Sequence, residues 1–497
     1  MVRQPYQALR FLVRREVELV LGHALERAAR VGHLVIELGK ESLGHAHHDA
    51  LKIPDIIGIP QMEPARLKQM GVVGAGGAGF PAYVKAASRV EYVIANGAEC
   101  EPLVHKDVEL MKRCAPEIVA GLRLMMRATG AKQGKFGVKA KNRAAMDAIR
   151  AELGGDPVEL VSLGDFYPSG DEYELVYSAT GRLIPPGGIP LQVGCVVNNV
   201  ETLHNIALAA ENIPVTRKFV SVTGAVAKPK SFWAPVGAPI RDLIAAAGGA
   251  LAPDFAVFIG GLMMGTLAGS LDQPVMKTTA GLVVLPRDHY LVGRRSRPGP
   301  AMLHIGKSAC DQCGYCTELC PRYLLGYDVR PHQVMRSLGF TKTGGDHLSP
   351  WGRLCCGCGI CTLYACPEDL YPKEACDKAG RGFLAAGLEF EQPRAPRVHP
   401  MREFRRVPLP MLRRRLRVEE YDSGAPFDDL NLEPARVRIA LRQGAGKPAV
   451  PVVSEGERVT ARRPVARVAP EDLGADLHAS IGGRVTAVTD EYIEITG

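Results

Sequence analysis

The stretch CDQCGYCTELCP, residues 310–321, is followed by a second, CCGCGICTLYACP, at residues 355–367. In each of them three cysteines recur at every third position, and a further cysteine stands directly before a proline. A loop with this spacing can bring three thiolates to three corners of an iron–sulfur cubane, and the remote cysteine supplies a fourth ligand. The two stretches therefore predict a helical, cysteine-rich domain that holds iron.

The two cysteine stretches also predict how the ligands are shared. In two-cluster ferredoxins the cysteine before proline ligates the other cluster, so we assign the ligands crosswise. Zinc ribbons use paired C-x2-C motifs and not triplets followed by Cys-Pro, which favours two [4Fe–4S] clusters over two zinc sites. Cys356 and Cys376 are then spare thiols. The predicted ligands are Cys310, Cys313, Cys316 and Cys366 for one cluster and Cys355, Cys358, Cys361 and Cys320 for the other.

Length and composition limit the number of domains and the class of protein. The chain has 497 residues, 46% of them hydrophobic and 23% charged. At about 100–200 residues per domain this length predicts roughly three domains, and the composition excludes a mainly disordered or fibrous protein. The net charge of +8 is modest for such a chain, and we expect no nucleic-acid partner.

The remaining cysteines and the apolar stretches indicate where in the cell the protein is expected. Cys100, Cys114 and Cys195 are scattered and the others lie between Cys310 and Cys376, unlike the framework of a small secreted domain. No signal peptide is visible, because Arg and Glu interrupt the apolar residues at the start. The uncharged stretch 255–271 is shorter than the about 18–20 apolar residues of a spanning helix, so it predicts a buried strand and loop. We expect a cytoplasmic protein without a transmembrane segment.

Between residues 62 and 213, short apolar strands alternate with helical stretches, which predicts an α/β layer on a mostly parallel sheet. The loop GVVGAGGAGFP, residues 71–81, contains Gly74, Gly76, Gly77 and Gly79. Small residues let backbone N–H groups approach a phosphate closely. A tight glycine turn without a ligand is the alternative, since the segment before the loop is predicted to be helical and not a strand.

Three further polar loops lie between apolar runs. ANGAECEP (residues 95–102) follows a predicted strand and places Asn96, Glu99 and Glu101 at its carboxyl end, where open α/β sheets bind ligands. The others are YPSGDE (residues 167–172) and VVNNVET (residues 196–202). Any one of them could be a solvated turn, but together with the glycine loop they predict a binding site.

The rest of the chain divides by composition. A helical apolar pattern precedes HAHHD at residues 45–49, which we interpret as a solvated loop; this extension is either a targeting peptide or a non-functional segment. Residues 394–417 are strongly basic and predict a solvated helix packed on the core. The predicted order is an N-terminal amphipathic helix and linker (1–61), the α/β domain (62–213), a β-grasp-like module (214–290), the cysteine-rich domain (291–390), a basic linker (391–432) and a small all-β domain (433–497).

The glycine loop and the three polar loops resemble the flavin subunit of respiratory NADH:quinone oxidoreductase and the C subunit of the Rnf complex. Within this superfamily they are most similar to the cobalamin (corrin) reductases of propanediol-utilisation microcompartments. The resemblance covers about Met62 to Gly497. It implies an α/β multidomain protein with a Rossmann-like FMN domain, a β-grasp soluble-ligand-binding domain, a helical two-[4Fe–4S] ferredoxin-type domain and a C-terminal barrel-sandwich hybrid. The turn at residues 481–483 has no lysine, so we expect no attached lipoate or biotin.

The resemblance also implies site residues. The FMN phosphate would lie on the Gly74–Gly79 loop with Lys85 beyond it, and Asn96 and Glu99 would bind the isoalloxazine or ribityl groups with Glu101 nearby. Ala75 and Ala98 stand where the respiratory flavin protein has an Arg and an acidic residue. No general acid or base is expected. The residues implied for the flavin and nicotinamide face are Tyr167, Gly170, Asp171 and Glu172, and those for the ribityl–phosphate side are Asn198, Asn199 and Thr202.

The function implied is electron transfer from NADH through FMN and the clusters to a corrinoid, alone or on a corrinoid adenosyltransferase, in or at the shell of a bacterial microcompartment. No D-x-H-x-x-G corrinoid-ligating motif occurs, which argues against a stable corrinoid carrier. One alternative is an Rnf-C-like conduit from NADH to ferredoxin or flavodoxin. Another is a non-catalytic electron carrier or scaffold. The basic segment suggests a shell protein or an acidic redox protein as partner, with Arg413, Arg414 and Arg415 in contact.

Overall fold

The computed structural model describes residues 62–340 and 349–497. The predicted helix, linker and histidine-rich loop of residues 1–61 lie outside the described residues. No helix within the described ranges is long and apolar enough to cross a membrane.

The α/β domain is built on a parallel sheet, as predicted. The strand order is β3-β2-β1-β5, and the three pairs of neighbours are all parallel. Its strands are β1 (Tyr92–Gly97), β2 (Gln133–Lys139), β3 (Val158–Leu163), the separate two-residue β4 (Phe166–Tyr167) and β5 (Cys195–Asn199). Its helices are α1 (Pro64–Gln69), α2 (Ala82–Ala86), α3 (Lys106–Arg113), α4 (Ala115–Thr129), α5 (Arg143–Leu153), α6 (Glu172–Thr180) and α7 (Val200–Ala210).

Helix α4 forms the centre of the core beneath the sheet. It ends at Gly130 in the left-handed conformation, φ 72°, which glycine adopts without strain. Helix α7 crosses it so closely that a Cβ on Gly121 would lie 1.9 Å from the carbonyl oxygen of Leu203. The close approach leaves Ile118, Leu122 and Ile206 fully buried. Burial of such side chains contributes roughly 1.5–3 kcal/mol each.

The next module is a five-stranded mixed sheet with one helix, as the β-grasp interpretation expects. The order is β7-β6-β10-β8-β9, with β6 and β10 parallel at the centre and the other pairs antiparallel. The apolar stretch 255–271 forms a strand and loop, as predicted. The elements are β6 (Arg217–Gly224), β7 (Lys230–Pro235), α8 (Ile240–Ala246), β8 (Phe255–Ile259), β9 (Thr266–Leu267) and β10 (Gly281–Pro286).

The cysteine-rich domain is helical. Val334, Met335 and Leu338 of α13 pack against Ala375 and Ala379 of α14 in its small core. A turn at Cys361–Ala365 has π-helical hydrogen bonding. The helices are α9 (Tyr290–Ser296), α10 (Gly299–Ala309), α11 (Tyr315–Glu318), α12 (Pro321–Leu324), α13 (Pro331–Leu338) and α14 (Pro372–Ala385).

The basic segment differs from the prediction. Residues 394–417 do not form one helix; they contain β11 (Val407–Pro408) and α15 (Leu409–Arg415). Prolines at positions 396, 400, 408 and 410 remove backbone donors and restrict the preceding residues, which prevents a longer helix. The segment is also more than a connector, because β11 pairs with β4 and Leu412 and Leu416 are fully buried.

The C-terminal domain is all-β, as predicted, and consists of two small sheets. The orders are β12-β18-β17-β14 and β13-β15-β16, with antiparallel neighbours. Val437, Val465 and Ile493 lie in the buried layer between the sheets. The strands are β12 (Arg436–Ala440), β13 (Val450–Pro451), β14 (Arg458–Val459), β15 (Pro464–Arg467), β16 (Leu477–His478), β17 (Gly483–Val488) and β18 (Tyr492–Thr496).

Candidate flavin and iron–sulfur site

The strand order defines where a ligand of the α/β domain binds. After β1 the chain builds β2 and β3 on one side and then returns to place β5 on the other. Ligands of open α/β sheets bind outside the carboxyl ends of the strands at this reversal point. Asn96 and Asn199 are register partners at the ends of β1 and β5, so both lie at that crevice.

The glycine loop lies against the same strand end. It follows helix α1, so it is not the strand-loop-helix fingerprint of dinucleotide sites. The Ala75 N–H donates to Thr202 Oγ1 at 2.9 Å. A Cβ on Gly76 would lie 3.3 Å from Asn199 Cβ, whereas one on Gly77 would meet open space. The structure thus brings the glycine loop, Asn199 and Thr202 together.

These residues fit a flavin phosphate and ribityl chain. The Asn198 side chain is 3% exposed, yet its Nδ2 has no hydrogen-bond partner among the described residues. Ser169 Oγ in the neighbouring polar loop is likewise buried without a partner among them. An unsatisfied buried polar group costs about 1–3 kcal/mol, so such groups are expected where a polar ligand binds. Lys85 Nζ donates to the Val197 carbonyl at 2.6 Å and lies 3.7 Å from Glu172 Oε1.

A buried charge network supports the glycine loop from below, and sequence reasoning missed it. Lys106 and Lys218 both pair with Glu201, and Lys218 Nζ also donates to the Ala75 carbonyl at 2.9 Å. Burial lowers the pKa of Lys218 to about 8. Burial would raise the pKa of Glu201, but Lys218 and Lys106 outweigh it and the pKa is lowered. Only the position of Glu201 inside the predicted loop VVNNVET could have indicated the network.

The acidic residues after β1 have separate roles. Asn96 Nδ2 donates to the Gly170 carbonyl at 2.9 Å, which joins two of the predicted loops. Both carboxylate oxygens of Glu101 accept backbone N–H groups of the β-grasp module, from Met263 at 2.9 Å and Met264 at 2.8 Å. Glu101 therefore anchors the β-grasp backbone from its place beside the predicted flavin site, and its position near the flavin stays a prediction. Burial raises the pKa of Glu99 to about 8 and that of Glu101 to about 7.

Two residues predicted for the flavin and nicotinamide face also contact the cysteine-rich domain. Tyr167 is 1% exposed, and its hydroxyl donates to the Cys358 carbonyl at 2.8 Å. Both oxygens of Asp171 accept from Arg322, at 2.8 and 3.1 Å. Sequence distance hid both contacts, since their partners lie 191 and 151 residues further along the chain. These residues join the predicted flavin site to the cysteine loops.

The cysteines group across the two stretches. One cavity is lined by the four thiols predicted for the first cluster, together with side chains such as Gln312 and His332. In the second set the pKa of Cys361 is raised, and burial is the largest cause of the shift. The nearby thiols of Cys355, Cys316 and Cys320 raise this pKa further. Within residues 62–340 and 349–497, no group of three or more His, Cys, Asp or Glu side chains is placed to hold a single metal ion. The cavity is lined by Cys310, Cys313, Cys316 and Cys366.

The spare thiols lie beside predicted ligands. Cys356 hydrogen-bonds with Cys358, and Cys376, which is fully buried, hydrogen-bonds with Cys355. Both are therefore placed to contact the second cluster's ligands without being part of either predicted set.

Comparison with family models divides the chain in the same way. Residues 67–208 match the Nuo51 FMN-binding domain and residues 219–267 the SLBB domain. Residues 309–371 match a 4Fe-4S dicluster domain, and residues 423–496 the RnfC barrel sandwich hybrid domain. Fold and site together define a flavin-binding iron–sulfur oxidoreductase with an electron-transfer role.

Comparison with curated proteins narrows this class. The chain is 41% identical over 86% of its length to cobalamin reductase PduS of Salmonella typhimurium, and the match covers 95% of that protein. It is 32% identical over 55% of its length to the C subunit of the proton-translocating ferredoxin:NAD(+) oxidoreductase complex of Clostridium ljungdahlii, covering 57% of that protein. The chain belongs to the cobalamin reductase PduS family.

Among solved structures, an NAD+-reducing [NiFe]-hydrogenase in the H2-reduced state is similar over 67% of this chain and 63% of its own. The sequence identity is 23% and the TM-score 0.42.

Proposed function

We propose that this protein reduces the cobalt of a corrinoid with electrons from NADH, by way of FMN and two [4Fe–4S] clusters. The observation that carries the proposal is the 41% identity to a cobalamin reductase over 86% of the chain. The distances between the loops support it, because the Tyr167 hydroxyl joins a predicted flavin loop to a predicted cluster loop at 2.8 Å.

The chain's own residues would bind and separate the redox groups. When bound, FMN would supply the exchange between a two-electron hydride donor and one-electron acceptors. The glycine loop, Asn198, Asn199 and Thr202 would hold its phosphate and ribityl side. Lys218 and Glu201 would hold the glycine loop in place from below. The crosswise cysteine sets would hold the clusters.

The physiological partners belong to the same proposal. A corrinoid adenosyltransferase would take up the reduced corrinoid. A microcompartment shell protein would bind this protein and so hold it at the shell. The basic segment is a less suitable docking surface than its sequence indicates. Arg413 is paired with Asp422 and Arg415 with Asp369 at 2.7 Å. Arg414 lies 3.5 Å from Glu419 and, with an 80% exposed side chain, is the most accessible of the three.

An anaerobic NADH titration of the iron–sulfur-reconstituted protein tests the proposal. We expect bleaching of the flavin and cluster absorbance, followed by reoxidation and cobalt reduction when hydroxocobalamin is added; a sample without NADH is the control. If the centres bleach but hydroxocobalamin stays oxidised, corrinoid reduction is wrong. If NADH leaves the flavin oxidised, the donor is wrong and a carrier or scaffold role replaces it.

The similarity to the C subunit of the ferredoxin:NAD(+) oxidoreductase complex supports a second candidate. This candidate is a conduit from NADH to ferredoxin or flavodoxin. Adding ferredoxin or flavodoxin to the NADH-reduced protein in place of hydroxocobalamin distinguishes the two, because only one acceptor should reoxidise the clusters at a rate matching NADH consumption.

A further inference from the structure

Arg322 connects the cysteine-rich domain to the predicted flavin loop. It stands two residues after Cys320 in the short helix α12 and is 8% exposed. Its guanidinium forms a two-pronged pair with Asp171, at 2.8 and 3.1 Å, and its Cζ lies 3.6 Å from the centroid of the Tyr173 ring. A guanidinium that donates two parallel hydrogen bonds to one carboxylate fixes the relative orientation of the two side chains, in addition to the attraction between their charges.

Asp171 is itself held rigidly. It caps helix α6, because its Oδ1 accepts the Tyr173 N–H at 3.1 Å and the Glu174 N–H at 3.3 Å. Loop 167–172 therefore cannot move relative to Cys320 without breaking the fork or the cap. Tyr173 also packs edge-on against Tyr327 of the cysteine-rich domain, at 5.2 Å between ring centroids.

The same two charges lie close to the second cysteine stretch. Arg322 and Asp171 are both electrostatic neighbours of Cys356, which is adjacent to Cys355 and hydrogen-bonded with Cys358. Cluster potentials depend on net charge, hydrogen bonds and solvent exposure around the cluster. Arg322 is buried and Asp171 partly buried, and such charges are screened much less by solvent than exposed ones. A change of a single charge here should therefore shift the reduction potential of that cluster.

We propose that the Arg322–Asp171 pair is a positioning and tuning device for the cluster predicted on Cys320, Cys355, Cys358 and Cys361. Arg322 holds this cluster domain against the flavin loop and, by its positive charge, keeps the reduction potential of that cluster higher than it would be beside Asp171 alone. The inference rests on the crosswise ligation in the proposed function.

The test is a mediated redox titration followed by EPR, with no NADH or corrinoid. Asp171→Asn removes one negative charge and keeps a side chain that caps helices well, so folding should be retained. We expect it to shift the midpoint potential of one cluster upwards, and Arg322→Gln to shift the same cluster downwards. The double variant Arg322→Gln/Asp171→Asn should return close to the wild-type value, because the two charge changes cancel.

Two further variants separate charge from geometry. Arg322→Lys keeps the charge but loses the fork, so it should leave the potential near wild type and slow electron transfer from flavin to cluster. Arg402→Gln is the matched control, since Arg402 pairs with Glu174 one turn further along the same helix and lies 4.6 Å from the Tyr177 ring centroid. We expect it to leave both potentials unchanged.

The outcomes distinguish this inference from the proposed function. Two EPR-visible clusters whose potentials do not respond to Asp171→Asn or Arg322→Gln would overturn the inference and leave the proposed cofactors intact. Absence of a second cluster in the wild-type protein would overturn the ligation on which both rest. A shift of the same size and sign in Arg402→Gln would also overturn it, because the effect would then be general.

Discussion

The two cysteine stretches share a triplet of cysteines at every third position but have different surroundings, and the cysteine before proline follows the triplet after three residues in the first and four in the second. In the first, Cys313 is exposed and Cys310 is partly exposed, and the cavity between the thiols is bordered by exposed Asp311 and Gln312. In the second, Cys358 and Cys361 are 7% and 6% exposed and Cys355 is partly exposed, so no thiol of its triplet is as open as Cys313. Spacing along the chain therefore predicts which thiols share a cluster, whereas neighbouring domains decide how far water reaches it.

The second stretch is covered by the α/β domain and by the β-grasp module. Tyr167 of the α/β domain binds the Cys358 carbonyl, and Leu262 and Met263 of the β-grasp module lie in the same buried cluster as Cys358 and Ile360. We expect electrons from the flavin site to reach this buried cluster before the exposed one, which would then face the external acceptor.

The largest expected effect is the loss of a whole cluster, and pairs of serine variants test the crosswise ligation. Cys310→Ser/Cys366→Ser removes two ligands of one predicted cluster, so about four of about eight iron atoms should remain. Cys310→Ser/Cys320→Ser removes one ligand from each cluster and should leave little iron. Iron and sulfide analysis with EPR provides the measurement.

The same pairs of variants would also reveal ligation within each stretch in place of crosswise ligation. If each stretch held its own cluster, Cys310→Ser/Cys366→Ser would disturb both clusters and Cys310→Ser/Cys320→Ser only one. Cys114→Ser, a cysteine outside both stretches, is the control and should retain the full iron content.

Sequence reasoning predicts the parallel sheet and the four thiols that line one cavity, because both depend on local patterns. The left-handed glycine that ends helix α4, Gly130, is likewise a local feature of the sequence. The charge of the basic segment predicts a single helix, and this prediction is wrong because prolines interrupt the backbone.

The contacts that join the domains could not be predicted from local patterns. Lys218 reaches the Ala75 carbonyl across 143 residues, and Glu101 reaches Met263 across 162. The position of Glu101 after β1 predicts only that it lies near the ligand-binding end of the sheet, and its contact with the β-grasp backbone could not be inferred from that position. Which loop a side chain meets depends on how separate domains pack, and periodicity carries no information on that packing.

The second expected effect is a difference in the rate of cluster loss. An anaerobic chelator, followed by EPR, should remove the cluster of the exposed first stretch several-fold faster than that of the buried second stretch, because access to the iron limits the reaction. Loss of both clusters at one common rate would contradict the difference in burial. Cys310→Ser/Cys366→Ser, with only the buried cluster left, should show the slow phase alone.

A smaller effect tests why the second stretch is buried. Glu101→Ala removes the acceptors of the Met263 and Met264 N–H groups, so the β-grasp loop should loosen and the slow phase of chelation should become faster. Glu159→Ala is the control, since Glu159 forms an exposed ion pair with Lys135 and should leave both phases unchanged. An unaltered slow phase in Glu101→Ala would show that this anchor does not keep the loop closed.

The smallest effect is a pH dependence of the same anchor. Burial raises the pKa of Glu101 from its ordinary 4.5 to about 7, although the Met263 and Met264 N–H groups oppose the shift. Between these values the folded protein keeps a proton that the unfolded chain has lost, so stability should fall as pH rises through this window and level off above it.

Glu101→Gln cannot titrate and should flatten that part of the slope, while Glu99, with a pKa raised to about 8, keeps a residual slope. Thermal midpoints of the anaerobic holoprotein between about pH 5.5 and pH 8 measure the difference. If the thermal midpoints of wild type and Glu101→Gln changed with pH at equal slopes, Glu101 would already be ionised in the folded protein. The Met263 and Met264 N–H groups would then bind a charged carboxylate.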